Sequence, residues 1–172
     1  MILLEGTKQI QTATPEGKLV LDLIEGVQLR DAPTIVEYDS EVCEIYNPAW
    51  GLTDLPVVYV YQSLVRPGRI KSWVYHKIQT DRIFLLSGVM RFVLYDRRPD
   101  SPSFGRVNDI ALSERNRALL VIPPGIVHAT HNVGTSDAIF INLPSEPYNH
   151  ADPDRYNIPL DTQEIPFRFE RR

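Results

Sequence analysis

The chain has one cysteine, Cys43, so no disulfide closes within it and its stability must come from packing. It has no cluster of lysines or arginines ahead of the short terminal run "RFERR", and 22 acidic residues outweigh 18 basic ones for a net charge of −4. That balance argues against nucleic acid or an anionic membrane surface as a partner. No apolar run comes near the ~20 residues that a membrane helix requires. "MILLEG" is followed by polar residues where a secretion signal would continue its apolar segment. These absences give the expectation of a cytoplasmic protein. Internal repeats, low-complexity linkers and amphipathic helical stripes of useful length are missing too, which removes repeat architectures and helical bundles.

What is present is a chain of 172 residues, one domain's worth, punctuated by 14 prolines and nine glycines. β-branched and aromatic residues recur in short runs with a turn signal about every ten residues, the pattern of an all-β sandwich or barrel. "KQIQTATPEGKLVLDLI" reads as a first hairpin turning at "TPEG". Further strands are expected at "TIVEY", "VCEIY", "PVVYVYQSLV", "IKSWVYHKI", "RIFLLSG", "VMRFVLYDRR", "NDIALS", "RALLVIP", "IVHATHN" and "DAIFINLP", with short helices only at "LSERNRA" and in the last thirty residues.

Two segments carry chemistry-bearing side chains between glycines. Gly68, Val74, His76, Asp81 and Gly88 form the pattern G-x5-V-x-H-x4-D-x6-G, and Pro123, Gly125, His128 and Asn132 form P-x-G-x2-H-x3-N. Together they resemble the paired motifs of the cupin superfamily, which implies an all-β double-stranded β-helix, or jelly roll, here with an extra N-terminal hairpin. The resemblance divides a single domain into a hairpin extension at 1–25, a jelly-roll core at 26–147 and a C-terminal loop and tail at 148–172. In the superfamily, two histidines and a glutamate of the first motif and the histidine of the second bind a metal. Val74 stands where the first histidine belongs, and Asp81 replaces the glutamate.

The run from Tyr95 to Thr130, "YDRRPDSPSFGRVNDIALSERNRALLVIPPGIVHAT", is similar to a narrower group, the dTDP-4-dehydrorhamnose 3,5-epimerase family. Asp96, Arg97, Ser101, Pro102, Phe104, Gly105, Leu112, Ser113, Asn116, Pro123, Gly125 and His128 match its pattern. The resemblance implies a cytoplasmic, homodimeric isomerase of carbohydrate biosynthesis that needs no cofactor. Its substrate would be a nucleotide-linked 4-keto-6-deoxyhexose, with protons removed and returned beside the ketone. Such chemistry requires a base, an acid and a stabilised enolate. The family's base is a histidine in an "R-G-L-H-Y-Q" strand, steadied by a C-terminal aspartate and faced by a tyrosine. Mapped onto "KSWVYH", that strand places Lys71 at the arginine, Val74 at the base and His76 at the glutamine.

A hydrocarbon side chain cannot accept a proton. His76 shares a face with Val74 but lies roughly 6.6 Å along the strand, so it serves as base only for a shifted substrate. The catalytic candidates are therefore His76, His128, Tyr148 and Asp161. Tyr59, Tyr61, Lys71, Gln79 and Glu44 are candidates for substrate binding. Two positions exchange a family cation for a carboxylate, Asp81 and Asp39, which disfavours a diphosphate there. A second reading gives His76, Asp81 and His128 to one divalent transition metal, with Gln79 as a weak fourth ligand. His131 is three residues from His128 and points to the other face of its strand. A third reading is a sugar-binding relative without catalysis. Plainer roles also stand: His76 as a hydrogen-bonded interior histidine, Tyr59 and Tyr61 as core packing, Asp161 capping a turn, and Trp73 packing the outer wall or a subunit interface.

Overall fold

The computed structural model describes residues 6–169; residues 1–5 of the expected extension and 170–172 of the tail lie outside the described residues. The strands are β1 (Gln28–Asp31), β2 (Thr34–Val36), β3 (Glu41–Cys43), β4 (Tyr61–Val65), β5 (Ile70–Tyr75) and β6 (Asp81–Ser87). They continue with β7 (Val89–Asp96), β8 (Val107–Ser113), β9 (Ala118–Ile122), β10 (Ile126–Asn132), β11 (Ala138–Asn142) and β12 (Tyr156–Asn157). Among the described residues the one helical element is a single 3-10 turn, Pro48–Trp50. Two five-stranded sheets, ordered β1-β9-β6-β11-β4 and β12-β5-β10-β7-β8, face each other, and β2 pairs with β3 apart from them. This is the jelly roll expected from the motifs.

Three apolar layers explain the strand compositions. The inter-sheet core holds Ile83, Leu85, Phe92, Leu94, Leu120, Ile122, Ile126 and Phe140, among others. On β9, Leu119 and Val121 point the opposite way, into a cluster with Phe84 and Leu143 beneath Tyr46 and Trp50. Both faces of that strand are covered, so "ALLVI" has no polar alternation. The second sheet has its own outer layer, where Trp73, Val93, Val127 and Ala129 pack against Ile165, Phe167 and Phe169 of the tail. Trp73 is thus fully buried under the chain's own C-terminal segment. Parity on β10 sends Ile126, His128 and Thr130 inward and His131 outward, where its ring meets Phe169 edge-on.

Two expectations require correction in detail. "LSERNRA" forms no helix, because Asn116 accepts from both the backbone N–H and the hydroxyl of Ser113 and closes a tight turn. The N-terminal segment turns at the expected place, Gly17 donating to the Thr14 carbonyl, but shows only one isolated bridge, Ala13 to Leu19. Gly88 links β6 to β7 alone, with φ +88°, and a Cβ there would stand 2.8 Å from the Ala138 Cα. The first motif's closing glycine is therefore set by backbone packing.

The "DRRPDSPS" run has a structural reason as well. Asp96 ends β7 with no exposed surface. It accepts from Arg98 Nε at 2.9 Å, Ser101 Oγ at 2.6 Å and Ser103 Oγ at 2.7 Å. Ser103 Oγ in turn accepts the Glu25 N–H at 2.8 Å, which ties the N-terminal segment to the barrel. Burial acts to raise the Asp96 pKa, but these hydrogen bonds prevail and hold it below the usual carboxylate range. The folded pKa lies below the unfolded value of ~3.9, so this stabilisation is complete above that pH and is lost as pH falls through the folded value. Asp96→Asn is expected to destabilise the protein by about 2 kcal/mol at pH 7. In urea denaturation the gap between wild type and variant should narrow steadily below pH 4; a gap independent of pH would contradict the charge's role.

Candidate functional site

The two motifs converge at one end of the barrel, where β4, β5, β6, β10 and β11 meet. Asp81 opens β6 and is 2% exposed. Its Oδ1 accepts from Gln79 Nε2 at 2.6 Å and from Asn142 Nδ2 at 2.8 Å. Its Oδ2 faces two imidazoles, His76 Nε2 at 3.4 Å and His128 Nε2 at 3.3 Å. The rings lie 5.7 Å apart between centroids. Each also has an oxygen at its other nitrogen: His76 Nδ1 contacts the Asp154 carbonyl, and His128 Nδ1 lies 3.2 Å from the Ile126 carbonyl. Donating Nδ1–H to these carbonyls leaves both Nε2 atoms turned toward Asp81. Burial acts to raise the Asp81 pKa, but His128, then His76 and Asn142, hold it well below the usual carboxylate range.

Local structure fixes these positions. His76 follows β5 directly and its carbonyl accepts the Gly125 N–H at 2.7 Å, which couples the first motif to the second. The Asp154 carboxylate accepts the backbone N–H groups of Lys77, Ile78 and Gln79 at 2.8, 2.8 and 2.9 Å. One tail residue therefore caps the loop after His76 with its side chain and contacts the imidazole with its backbone. His128 pairs in register with Val74 on β5, and the ladder shifts between His128 and Thr130. Such an irregularity re-aims side chains beside a site.

Above this floor a cavity of about 600 Å³ is lined by Tyr59, Tyr61, Lys71, His76, Gln79, Tyr148 and Arg155, among others. Its deep end, lined also by Val74, Asp81, His128 and Asn142, is narrow. Tyr61 accepts from Asn142 Nδ2 at 3.0 Å, which leaves its own O–H available to a ligand. Burial and the Asp81 charge raise the Tyr61 pKa, so it remains a neutral donor. Lys71 Nζ donates to Ser63 Oγ at 2.7 Å, and burial followed by the Arg155 charge lowers its pKa. A larger cavity of about 880 Å³, between the N-terminal segment and the β8–β9 turn, contains no histidine.

Of the sequence-derived candidates, the structure brings together His76, His128, Asp81, Gln79, Lys71, Tyr61, Tyr59 and Tyr148. Two do not join them. Asp161 is exposed in the turn after β12, where its carbonyl accepts from the Gln163 side chain at 3.0 Å, and it lines none of these cavities. Glu44 is exposed just beyond β3, outside the cavity. The tail residue that reaches His76 is Asp154, seven positions earlier than Asp161 and in a different role. Asn142, Asp154 and Arg155 escaped the sequence reading. Asn142 alone had a usable signal, since it shares the inward parity of Ala138 and Phe140 on β11. Asp154 and Arg155 sit in the polar stretch "NHADPDRYN", whose long-range contacts leave no local pattern.

Comparison with known proteins agrees with this architecture. A family model described as dTDP-4-dehydrorhamnose 3,5-epimerase matches residues 49–169. The chain is 28% identical over 139 residues to a Haloferax volcanii protein named "Probable low-salt glycan biosynthesis epimerase", covering 80% of this chain and 89% of that one. It is 36% identical over 103 residues to a spore coat polysaccharide biosynthesis protein of Bacillus subtilis, covering 60% and 68% respectively. Among solved structures, a dTDP sugar isomerase from Desulfovibrio desulfuricans superposes with a TM-score of 0.77 at 28% identity, covering 84% of this chain and 90% of that one.

Asp154→Ala removes the acceptor for three consecutive backbone N–H groups. Hydrogen exchange at Lys77, Ile78 and Gln79 should accelerate roughly tenfold or more, equivalent to about 1.4 kcal/mol. The β9 amides should not change. Unaltered exchange at all three sites would show that Asp154 does not hold this loop.

Proposed function

Because the chain belongs to the dTDP-4-dehydrorhamnose 3,5-epimerase family, we propose that it acts as an isomerase on a nucleotide-linked 4-keto-6-deoxyhexose, with His76 taking the base role that Val74 cannot fill. The observation that carries this reading is the buried Asp81 carboxylate facing two imidazoles at the floor of a sugar-sized cavity. His76 Nε2 accepts the proton from the carbon beside the ketone. The imidazolium that forms is stabilised by Asp81 on one side and by the Asp154 carbonyl on the other. Tyr61 O–H donates to the ketone oxygen as it becomes an enolate, a preorganised donor in a partly buried site. Tyr148, which lines the same cavity, is assigned the return of a proton on the opposite face, and His128 shares the Asp81 charge with His76. Lys71 and Arg155 supply positive charge for the diphosphate.

The assignment to dTDP-linked sugars draws support from relatives of the same fold, one of them a 3'-monoepimerase from Streptomyces bikiniensis in complex with dTDP-quinovose, at 23% identity and a TM-score of 0.70. A homodimer in the cytoplasm belongs to the same proposal. The β2–β3 ribbon favours it: Ile35, Val36 and Val42 are 62%, 74% and 56% exposed on a two-stranded unit that is marginal alone. Size-exclusion chromatography with light scattering should give twice the mass of one chain, and a monomer at micromolar concentration would contradict the dimer.

Incubated in D2O with dTDP-4-keto-6-deoxyglucose, the enzyme should introduce deuterium at C3 or C5, read by NMR. His76→Gln should slow that exchange by about 100-fold or more. No exchange at high enzyme concentration, with sugar nucleotide bound in calorimetry, would replace the proposal with a non-catalytic binding role.

A further inference from the structure

Deeper in the barrel than the histidine pair stands a hydroxyl with nothing to bond. Thr130 lies on β10 with His128, on the same inward face and roughly 6.6 Å further along the strand. It is 5% exposed, and its Oγ1 has no hydrogen-bond partner among the described residues. Its polar neighbours are engaged: Asn142 donates to Asp81 and Tyr61, Asn132 to the Val65 and Ser136 carbonyls, and Lys71 to Ser63. A buried hydroxyl left unbonded costs stability, and valine would fill the same space on a strand without that cost. The hydroxyl calls for a partner that arrives with a ligand.

The surroundings define that partner. Val74, Ile83 and Phe140 line the same narrow deep end with hydrocarbon. Lys71 is the register partner of Thr130 on the β5–β10 ladder. A hydroxyl both donates and accepts, so Thr130 matches a group that does the same. A nucleotide-linked 4-keto-6-deoxyhexose has free hydroxyls only at C2 and C3. With the C3 proton at His76 and the C4 oxygen at Tyr61, C2 is the next ring atom. C1 and its diphosphate follow, toward Lys71 and Arg155. Thr130 stands between these two ends, paired with Lys71 and two residues beyond His128.

We infer that Thr130 is a specificity-determining residue: its hydroxyl forms the subsite that receives the C2 hydroxyl of the sugar and selects 2-hydroxy over 2-deoxy sugars. The inference rests on the isomerase reading for the orientation of the sugar and adds a substrate requirement to it. With a 2-deoxy sugar, Thr130 Oγ1 stays unbonded in a hydrocarbon-lined recess. Discrimination is strong where the wrong substrate leaves a buried polar group of the site unpaired. The subsite uses none of the proton-transfer groups, so His76, Asp81 and His128 keep their roles.

Calorimetry with dTDP-6-deoxyglucose and dTDP-2,6-dideoxyglucose, which lack the ketone and do not react, reads the subsite. Wild type should bind the 2-hydroxy compound about tenfold or more tightly than the 2-deoxy one. Thr130→Val keeps the side-chain shape and removes the hydroxyl, so its two Kd values should agree within about twofold. Thr130→Ser should restore most of the discrimination. The free Thr130→Val protein should melt at the wild-type temperature or above it, because an unbonded polar group has been removed. Equal binding of both compounds by wild type, or discrimination unaltered in Thr130→Val, would overturn the subsite. So would a lower melting temperature for that variant, which would reveal a partner for the hydroxyl inside the fold. These results would leave the isomerase reading, tested by deuterium exchange, in place; failure to bind either nucleotide would overturn both.

Discussion

The site depends on one buried carboxylate. A carboxylate taken out of water is tolerable only where charge and hydrogen bonds surround it, and Asp81 receives two amide donors at one oxygen and two imidazoles at the other. Meeting those demands draws together β6, β10, β11 and the segment after β5. The low Asp81 pKa is the electrostatic record of that arrangement, since partners overcome a burial term that alone would favour the neutral acid. Without the carboxylate, two imidazoles would share a narrow space with nothing to balance a cation on either.

A second set of contacts holds the imidazoles at the correct angle. The Gly125 amide fixes the His76 backbone, and Asp154 reaches across from the tail to cap the loop and contact the ring. The tail is itself anchored, because β12 pairs with β5 and the segment after it covers Trp73. The tail therefore has two functions: it closes the apolar outer face of one sheet and completes the polar end of the barrel. A lesion in the packing of Phe167 or Phe169 would be felt at His76 through the same strand pair.

Much of the fold was legible in the sequence because strand parity and glycine placement are local signals. The second motif placed His128 in the pocket and parity placed His131 on the other face, and Gly68, Gly88 and Gly125 of the two motifs all adopt positive φ. The pocket half-emerged for the same reason, since His76, Asp81 and His128 each sit at a motif position. What remained hidden is carried by long-range contacts. β1 and β12 are short edge strands whose partners, β9 and β5, lie far away in sequence. Asp154 acts through its carbonyl as much as through its carboxylate, and no residue pattern announces a carbonyl. Asp161 was chosen by its order along the chain, a guide that fails once the tail takes its own path. Glu44 kept the family's residue type but stands exposed just beyond β3.

Backbone carbonyls hold both Nδ1 atoms, so that the two Nε2 atoms stand as a pair around Asp81. Long-range proton–nitrogen correlation spectra of the histidine side chains, assigned with His76→Gln and His128→Gln, test it most directly. A proton is expected on Nδ1 of both His76 and His128. Neutral rings carrying their proton on Nε2, with Nδ1 bare on both, would contradict it.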